Sequence, residues 1–181
     1  SDKMINKANK RLFEQMLRIH GELIALKDID VDNDCYTNKQ VGAIVRLQDK
    51  QLILPFNIDV ALYSQFEHDS RTYVITGCKC VDKIYNVFTF EPLINMLNFS
   101  TNKGIFTYPC VVTDFSGTRI NANGTADILA GQIKAEIKRD TLTAKVKTND
   151  RFWVYANVWK VTTESWENED SYVIYFELDS K

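Results

Sequence analysis

The chain has 181 residues, enough for one large domain or two small ones, and 45% of them are apolar, which is typical of a folded protein. Its formal net charge is −2. This balance argues against non-specific nucleic-acid binding, because such binders normally carry an excess of basic residues. The sequence shows neither an apolar run near the roughly 20 residues of a membrane span nor a signal peptide, so we expect no membrane insertion and no export.

The N-terminal residues predict an amphipathic helix at residues 3–19. An apolar stripe runs along this segment, most lysines and arginines lie off the stripe, and Gly21 follows as a stop signal. We interpret the segment as a helix that lies on a sheet edge with a solvated basic face; the alternative is a docking arm for an acidic partner. The stripe comprises Ile5, Ala8, Leu12, Phe13, Met16 and Leu17.

From residue 22 onward the pattern predicts β-structure. Short runs rich in β-branched and aromatic residues alternate with clusters of Asn, Asp and Gly. Residues 59–67 could form one or two helical turns, and residues 93–104 are interpreted as a connection between two halves. Residues 116–127 are expected to form a polar loop. Gly131–Lys138 is predicted to be a strand, because apolar and polar residues alternate there, with Ile133, Ala135 and Ile137 on one face.

The two halves end alike, which indicates a tandem repeat. Each half shows a strand, a two-residue turn at Thr76–Gly77 or Ala156–Asn157, a return strand, and a strand that ends in Phe-Glu. One position departs from this outline, since Lys79 stands where the second half has Trp159. The sequence therefore predicts an all-β, mainly antiparallel protein. An N-terminal amphipathic helix at residues 1–21 is followed by two small tandem β-barrel or sandwich domains at residues 22–98 and 104–181.

The aromatic segment 149–178 contains every tryptophan of the chain. With a turn at Ala156–Asn157, Val154 lies opposite Trp159 and Phe152 lies opposite Val161. Because side chains alternate across a sheet, these four residues share one apolar face. We expect that face to be the core, joined by Ile174, Phe176 and Leu178.

The opposite face of this hairpin is the candidate interaction surface. It carries Trp153, Tyr155, Val158 and Lys160, with Tyr175 beside them. Exposed aromatic patches mark partner surfaces, although a platform for stacking single-stranded nucleic acid would look similar. A protein partner is favoured, because four neighbouring carboxylates would repel a phosphate backbone: Glu164, Glu167, Glu169 and Asp170.

Metal and catalytic motifs are weak in this sequence, so no enzyme, cofactor or metal is expected. The stretch Asp28–Asp34 begins like a calcium loop, but Asn33 and Lys39 occupy the sixth and twelfth positions of the EF-hand pattern, where Gly and Glu are required. A weaker calcium site and a solvated loop both remain open. The segment 66–70 places His68 near acidic residues without forming a catalytic triad. Cys35, Cys78, Cys80 and Cys110 are expected to be free thiols.

The pattern of residues 133–178 resembles small β-barrel proteins of tailed bacteriophages, the head-completion and head–tail connector proteins. That family shows an I-x-A-x-I strand, a D-R-F/I-x-V strand, a tight turn, a Y/W-K-V segment, a polar or acidic loop, and a closing I-x-x-x-L strand. The matching residues are Ile133, Ala135, Ile137, Asp150, Arg151, Phe152, Val154, Trp159, Lys160, Val161, Ile174 and Leu178.

The resemblance implies a non-enzymatic virion structural protein, a subunit of the adaptor- or stopper-type neck ring that connects head and tail. Its partners would be portal or adaptor proteins, tail proteins and further copies of itself in a homo-oligomeric ring. DNA would pass through the lumen without specific binding, and the acidic segments 28–34 and 163–170 are candidate lumen loops. Such a protein is assembled into the virion in the bacterial cytoplasm. The alternative is an OB-like nucleic-acid-binding or regulatory binding module.

Overall fold

The computed structural model of the chain describes residues 2–120, 126–166 and 171–179. The protein is mainly antiparallel β-structure with an N-terminal helix, which confirms the predicted fold class. The chain divides into two compact units, residues 1–30 with 35–93 and residues 31–34 with 94–181. The division at residues 93 and 94 precedes the expected boundaries at 98 and 104, because residues 95–101 form a strand of the second sheet instead of a connection.

The helix α1 spans Asp2–His20, and a short 3-10 turn spans Thr143–Lys145. Of the helices in the described ranges, none is long and apolar enough to cross a membrane. The strands are β1 (Glu22–Asp30), β2 (Cys35–Arg46), β3 (Gln51–Pro55), β4 (Gln65–His68), β5 (Arg71–Val81), β6 (Tyr85–Pro92), β7 (Asn95–Thr101), β8 (Gly104–Ile120), β9 (Ala126–Lys138), β10 (Arg151–Val154), β11 (Asn157–Trp166) and β12 (Ser171–Leu178).

Two local expectations are corrected by these bounds. Residues 59–67 form no helical turn; they contain turns and the start of β4. The expected polar loop at 116–127 largely extends β8 and β9, and its residues 121–125 lie outside the described residues. The predicted strand at Gly131–Lys138 is confirmed as the second part of β9, with Ile133, Ala135 and Ile137 buried.

The helix α1 packs on the outer wall of the first β-barrel. Phe13 is buried there and its ring stacks on Tyr85, with centroids 4.9 Å apart. The helix ends at Gly21, whose N–H donates to the Leu17 carbonyl at 2.8 Å; a Cβ at this position would lie 2.2 Å from that oxygen. The expected sheet edge does not exist, because a closed barrel has none. The wall residues beneath the helix are Ile44, Ile53 and Ile84.

The first unit is a closed six-stranded barrel in the order β1-β2-β3-β6-β5-β4. Strand β4 closes it against β1 through the pairs Leu26↔Phe66 and Lys27↔Gln65. Its interior is filled by large apolar side chains contributed by alternate residues of the strands. They include Ile24, Leu26, Val41, Leu52, Leu54, Phe66, Tyr73, Ile75, Phe88 and Phe90.

The second unit repeats this topology in the order β7-β8-β9-β12-β11-β10. Its first and fourth strands, β7 and β10, again lie side by side, but the described residues show no ladder between them. The ring of Phe99 on β7 lies 5.2 Å from the ring of Phe152 on β10, so side chains cover this seam. The predicted tandem arrangement of two small barrel-like units is thus confirmed.

The expected hairpin turn at Thr76–Gly77 is wrong. Strand β5 runs through these residues, with a bulge between Ile75 and Gly77, and the chain turns at Asp82–Lys83, where both φ angles are positive. Gly77 is not a turn residue. It allows the strands to pack closely, because an added Cβ would lie 2.7 Å from Thr89 Oγ1. Strand β11 carries its own bulge between Val161 and Thr163, which marks β5 and β11 as equivalent strands of the repeat.

Candidate interaction surface

The aromatic hairpin is formed by β10 and β11, and its turn is Tyr155–Ala156 instead of the predicted Ala156–Asn157. The register pairs Phe152 with Trp159, Trp153 with Val158, and Val154 with Asn157. The turn was misplaced because Asn is a preferred turn residue, whereas Tyr-Ala has no turn signature.

The predicted division of the hairpin into two faces nevertheless holds. The predicted and observed registers differ by two residues, and side chains alternate with a period of two, so each residue stays on its face. Core positions are buried as expected: Phe152, Val154, Trp159, Val161, Ile174 and Phe176. Leu178 departs from the expectation and is 49% exposed, because it is the last residue of β12.

Trp159 anchors the hairpin from its buried face. The indole Nε1–H donates to the carbonyl oxygen of Val154 at 2.9 Å, which satisfies the polar atom of a side chain that is only 8% exposed. The ring of Phe152 meets Phe176 in an edge-on contact with centroids 5.8 Å apart. The hairpin is therefore held against the core through this face, and its other face is displayed to solvent.

The other face presents two aromatic side chains, which we call the aromatic tip: Trp153 and Tyr155. Trp153 is 69% exposed on β10, and Tyr155 is 49% exposed in the turn. Neither the Trp153 indole nor the Tyr155 hydroxyl has a polar side-chain partner among the described residues. The tip combines a large uncovered apolar area with unused hydrogen-bonding groups, a combination typical of interface anchors.

The remaining predicted surface residues are less prominent. Val158 is half-buried beside Trp153, and the Lys160 ammonium lies 2.8 Å from the Glu177 carboxylate. Tyr175 is half-buried on β12, opposite Thr163 and Lys134, so the ion pair of Lys160 separates it from the tip. The structure therefore brings Trp153, Tyr155 and Val158 together and leaves Tyr175 outside this group.

The first unit shows that the fold itself does not require these aromatic residues. The turn Asp69–Ser70 between β4 and β5 is equivalent to Tyr155–Ala156. Two residues before each turn, the first unit has exposed Glu67 and the second has exposed Trp153. Three residues before each turn, the first unit has buried Phe66 and the second has buried Phe152. The core position is thus aromatic in both units, while the exposed positions are acidic in one and aromatic in the other.

The residue types in the turn at the tip add a second distinction, because the two equivalent turns have the same backbone conformation. Tyr155 and Ala156 have φ angles of 50° and 61°, in the left-handed region that favours Gly, Asn and Asp. In the first unit, Asp69 and Ser70 have φ angles of 48° and 61°, so the turns differ mainly at the first residue, where an aspartate tolerates this conformation. A Tyr-Ala pair costs roughly 1–2 kcal/mol per residue there.

A cavity in the first unit is the feature that the sequence analysis missed. It lies between α1 and the barrel wall, has a volume of about 410 Å³, and is lined mainly by apolar side chains, including Leu12, Phe13 and Met16. Four polar residues also line it, and none of them has a side-chain partner among the described residues: Asn9, Arg46, Gln51 and Asp82. The sequence held no signal for it, because Leu12 belongs to the apolar helix stripe and only the structure shows that it remains 58% exposed.

The other candidate groups of the sequence are placed as follows. Asp34 lies 3.6 Å from the Lys103 ammonium, and the described residues contain no group of three or more His, Cys, Asp or Glu side chains that could hold a metal ion. His68 Nε2 lies 2.8 Å from Glu22 Oε1, beside the seam where β4 closes the first barrel against β1.

Cys110 is buried, which raises the pKa of its thiol to about 12. In the acidic segment 163–170, Glu164 is exposed, and residues 167–170 lie outside the described residues.

The comparison with protein families concerns the unit that carries the aromatic tip. Residues 95–176 match the family model of the YomX C-terminal domain. The second unit is similar to a phage-derived domain. The match begins at the first residue of β7 and ends two residues before the end of β12, so it covers less than half of the chain. No curated protein and no solved structure matches the chain.

Proposed function

We propose that the protein is a non-enzymatic structural subunit of the head–tail connector, or neck, of a tailed bacteriophage. The observation that carries this proposal is the aromatic tip, which is displayed by the unit that matches a phage-derived domain. A ring subunit needs a surface for its neighbours, and exposed aromatic residues are common anchors of protein interfaces. Its partners would be portal or adaptor proteins, tail proteins and further copies of the chain.

The electrostatics of the hairpin favour a protein partner over nucleic acid. A platform for single-stranded nucleic acid needs free cations beside its aromatic rings. Here the Arg151 guanidinium pairs with the Asp179 carboxylate, and the Lys160 ammonium pairs with Glu177. These cations are already neutralised by carboxylates, so a phosphate backbone would gain little from them. DNA that moves through the lumen of a neck would accordingly slide past this surface.

The experiment is to find the protein in the particle and to remove its tip. The tip variant is Trp153→Glu combined with Tyr155→Asp, which installs the acidic residues that the first unit carries at the equivalent positions. In the phage that encodes the chain, we expect wild-type protein in purified particles, with antibody label at the junction of head and tail. The tip variant should yield DNA-filled heads without tails.

The matched control is Ile105→Glu, which changes another exposed apolar residue of the same unit, on β8. Particles of this control should keep their tails. The proposal fails if purified particles lack the protein, or if the label lies along the tail fibres or the capsid faces. Binding of a labelled single-stranded oligonucleotide by the wild type, lost in the tip variant, would support the binding-module alternative instead.

A further inference from the structure

The aromatic tip is complementary to the cavity between α1 and the wall of the first barrel, which we call the helix–barrel cavity. The tip is a pair of exposed aromatic residues at a hairpin turn, whereas the cavity is a partly open cleft lined mainly by apolar side chains. A volume of about 410 Å³ lies in the range of pockets that bind small molecules. An exposed apolar group and a matching pocket elsewhere on the same molecule form a contact that joins copies head to tail.

The polar groups of the two features are complementary as well. The tip offers an indole N–H donor and a phenol hydroxyl, and the cavity offers the Arg46 guanidinium, the Asp82 carboxylate and two amides. All of these groups lack side-chain partners among the described residues. Burying an aromatic residue with a polar atom is favourable only when that atom finds a partner, and the cavity supplies both donors and acceptors.

We propose that the aromatic tip of one copy inserts into the helix–barrel cavity of the next copy, so that identical subunits join head to tail. This inference rests on the proposed role as a ring subunit and names the surfaces that the ring would use. Two aromatic side chains bury roughly 150–250 Å² each. With a similar area from the cavity, the contact stays below the roughly 1,200–2,000 Å² of stable interfaces. Pairwise association should therefore be weak and depend on protein concentration.

A complementation experiment tests this geometry directly. The cavity variant is Leu12→Glu, which places a carboxylate in the apolar lining at a residue that is already mostly exposed. The tip variant, Trp153→Glu with Tyr155→Asp, retains an intact cavity, and the cavity variant retains an intact tip. By sedimentation velocity, wild type should form oligomers larger than dimers as its concentration rises. Each variant alone should remain monomeric.

The decisive sample is the equimolar mixture of the two variants. It should form one-to-one dimers and nothing larger, because one intact tip meets one intact cavity and the remaining surfaces are both disabled. A mixture that stays monomeric would overturn the proposal, as would a tip variant that assembles like wild type. A wild type that is monomeric at every concentration also overturns it, although such a protein could still occupy the neck through other partners.

Two further variants guard against simple misfolding. Leu23→Glu changes an exposed apolar residue of the first unit outside the cavity and should assemble like wild type. Arg46→Glu reverses the charge at an exposed cavity residue. It should raise the protein concentration that is needed for assembly at least tenfold. Each variant should keep the wild-type thermal midpoint to within a few degrees. If Leu12→Glu unfolds the protein, Arg46→Glu replaces it in the mixture, at concentrations where Arg46→Glu alone is monomeric, and the same dimer is expected there.

Discussion

Phe152 meets Phe176 edge-on inside the second unit, with ring centroids 5.8 Å apart and planes at 82°. Phe66 and Phe90 make the same contact inside the first unit, at 5.1 Å and 88°. The strand orders and the bulges of the fifth strands agree with this equivalence. The two units therefore share a common core plan, and equivalent positions on their surfaces can be compared directly.

This equivalence predicts that each phenylalanine stabilises its own unit. Phe66→Ala and Phe152→Ala each empty a buried aromatic site, which typically costs about 3–5 kcal/mol of unfolding free energy. Amide hydrogen exchange should become faster across residues 22–93 in the first variant and across residues 94–179 in the second. Equal acceleration in both units for either variant would show that the units unfold as one body and would contradict the prediction.

Trp159 should be the most sensitive residue of the aromatic hairpin. Trp159→Ala removes a buried ring and leaves the Val154 carbonyl without its indole donor, so we expect a loss of about 3–5 kcal/mol. Trp153→Ala serves as the matched control, because that ring is 69% exposed, and it should change stability by less than about 0.5 kcal/mol. Urea unfolding measures both values. A small effect at Trp159 would contradict the observed register.

The sequence was informative where periodicity decides the structure. Alternation identified the strand at Gly131–Lys138, and a period of two kept Trp153 and Trp159 on opposite faces although the turn was misplaced. Turn positions failed for a physical reason. Gly77 looked like a turn residue but allows close packing against Thr89, and Tyr155 adopts a conformation that tyrosine rarely takes. The cavity was not predictable, because it depends on how α1 packs against the barrel wall.

The buried thiol of Cys110 should be chemically silent in the folded protein. Burial raises its pKa to about 12, so almost no thiolate exists at pH 8. Cys35, Cys78 and Cys80 are exposed at the surface. Partial desolvation of the Cys78 sulfur, and secondly the charge of the nearby Cys80 thiolate, raise the pKa of Cys78. Alkylation at pH 8 followed by mass spectrometry should modify exposed thiols and spare Cys110 until denaturant is added. Rapid native labelling at Cys110 would contradict its placement in the core.

The same thiol gives a pH dependence of stability with a defined sign. The folded-state pKa of about 12 exceeds the roughly 8.5 of an unfolded thiol, so the folded state holds this proton more tightly. The stabilisation that this proton gives to the folded state is fully present below about pH 8.5 and is lost as the pH rises towards 12. A Cys110→Ala variant should therefore show a smaller decrease of unfolding free energy between pH 8 and pH 10 than wild type. An identical decrease would contradict this assignment.

Calcium should leave the protein unchanged. The acidic stretch Asp28–Asp34 spans the end of β1 and the following turn, where the Asp28 carboxylate accepts the Ile29 backbone N–H and Asp34 lies near Lys103. A ligand that binds only the folded state raises the melting temperature by mass action. We expect equal melting temperatures in millimolar calcium and in EDTA. A rise of several degrees with calcium would show that the weaker loop site exists.

Replacing Tyr155–Ala156 by Asn-Gly should stabilise the protein and abolish its assembly. Asn-Gly is the preferred pair for a turn with two positive φ angles, so the exchange relieves strain that the native residues impose. We expect a gain of about 1–2 kcal/mol in unfolding free energy. The equivalent exchange in the first unit, Asp69–Ser70 to Asn-Gly, should gain less, because aspartate already tolerates this conformation.

The unfolding free energy and the sedimentation of this variant together distinguish a binding role of Tyr155 from a structural one. If Tyr155 is present for partner contact, the stabilised variant should lose concentration-dependent oligomers in sedimentation, while the variant at residues 69–70 keeps them. Natural proteins lose stability at binding sites where function requires an unfavourable residue, and this trade-off is the signature expected here. A turn exchange at residues 155–156 that destabilises the protein would show that Tyr155 supports the fold. One that preserves assembly would leave Trp153 alone as the anchor of the tip.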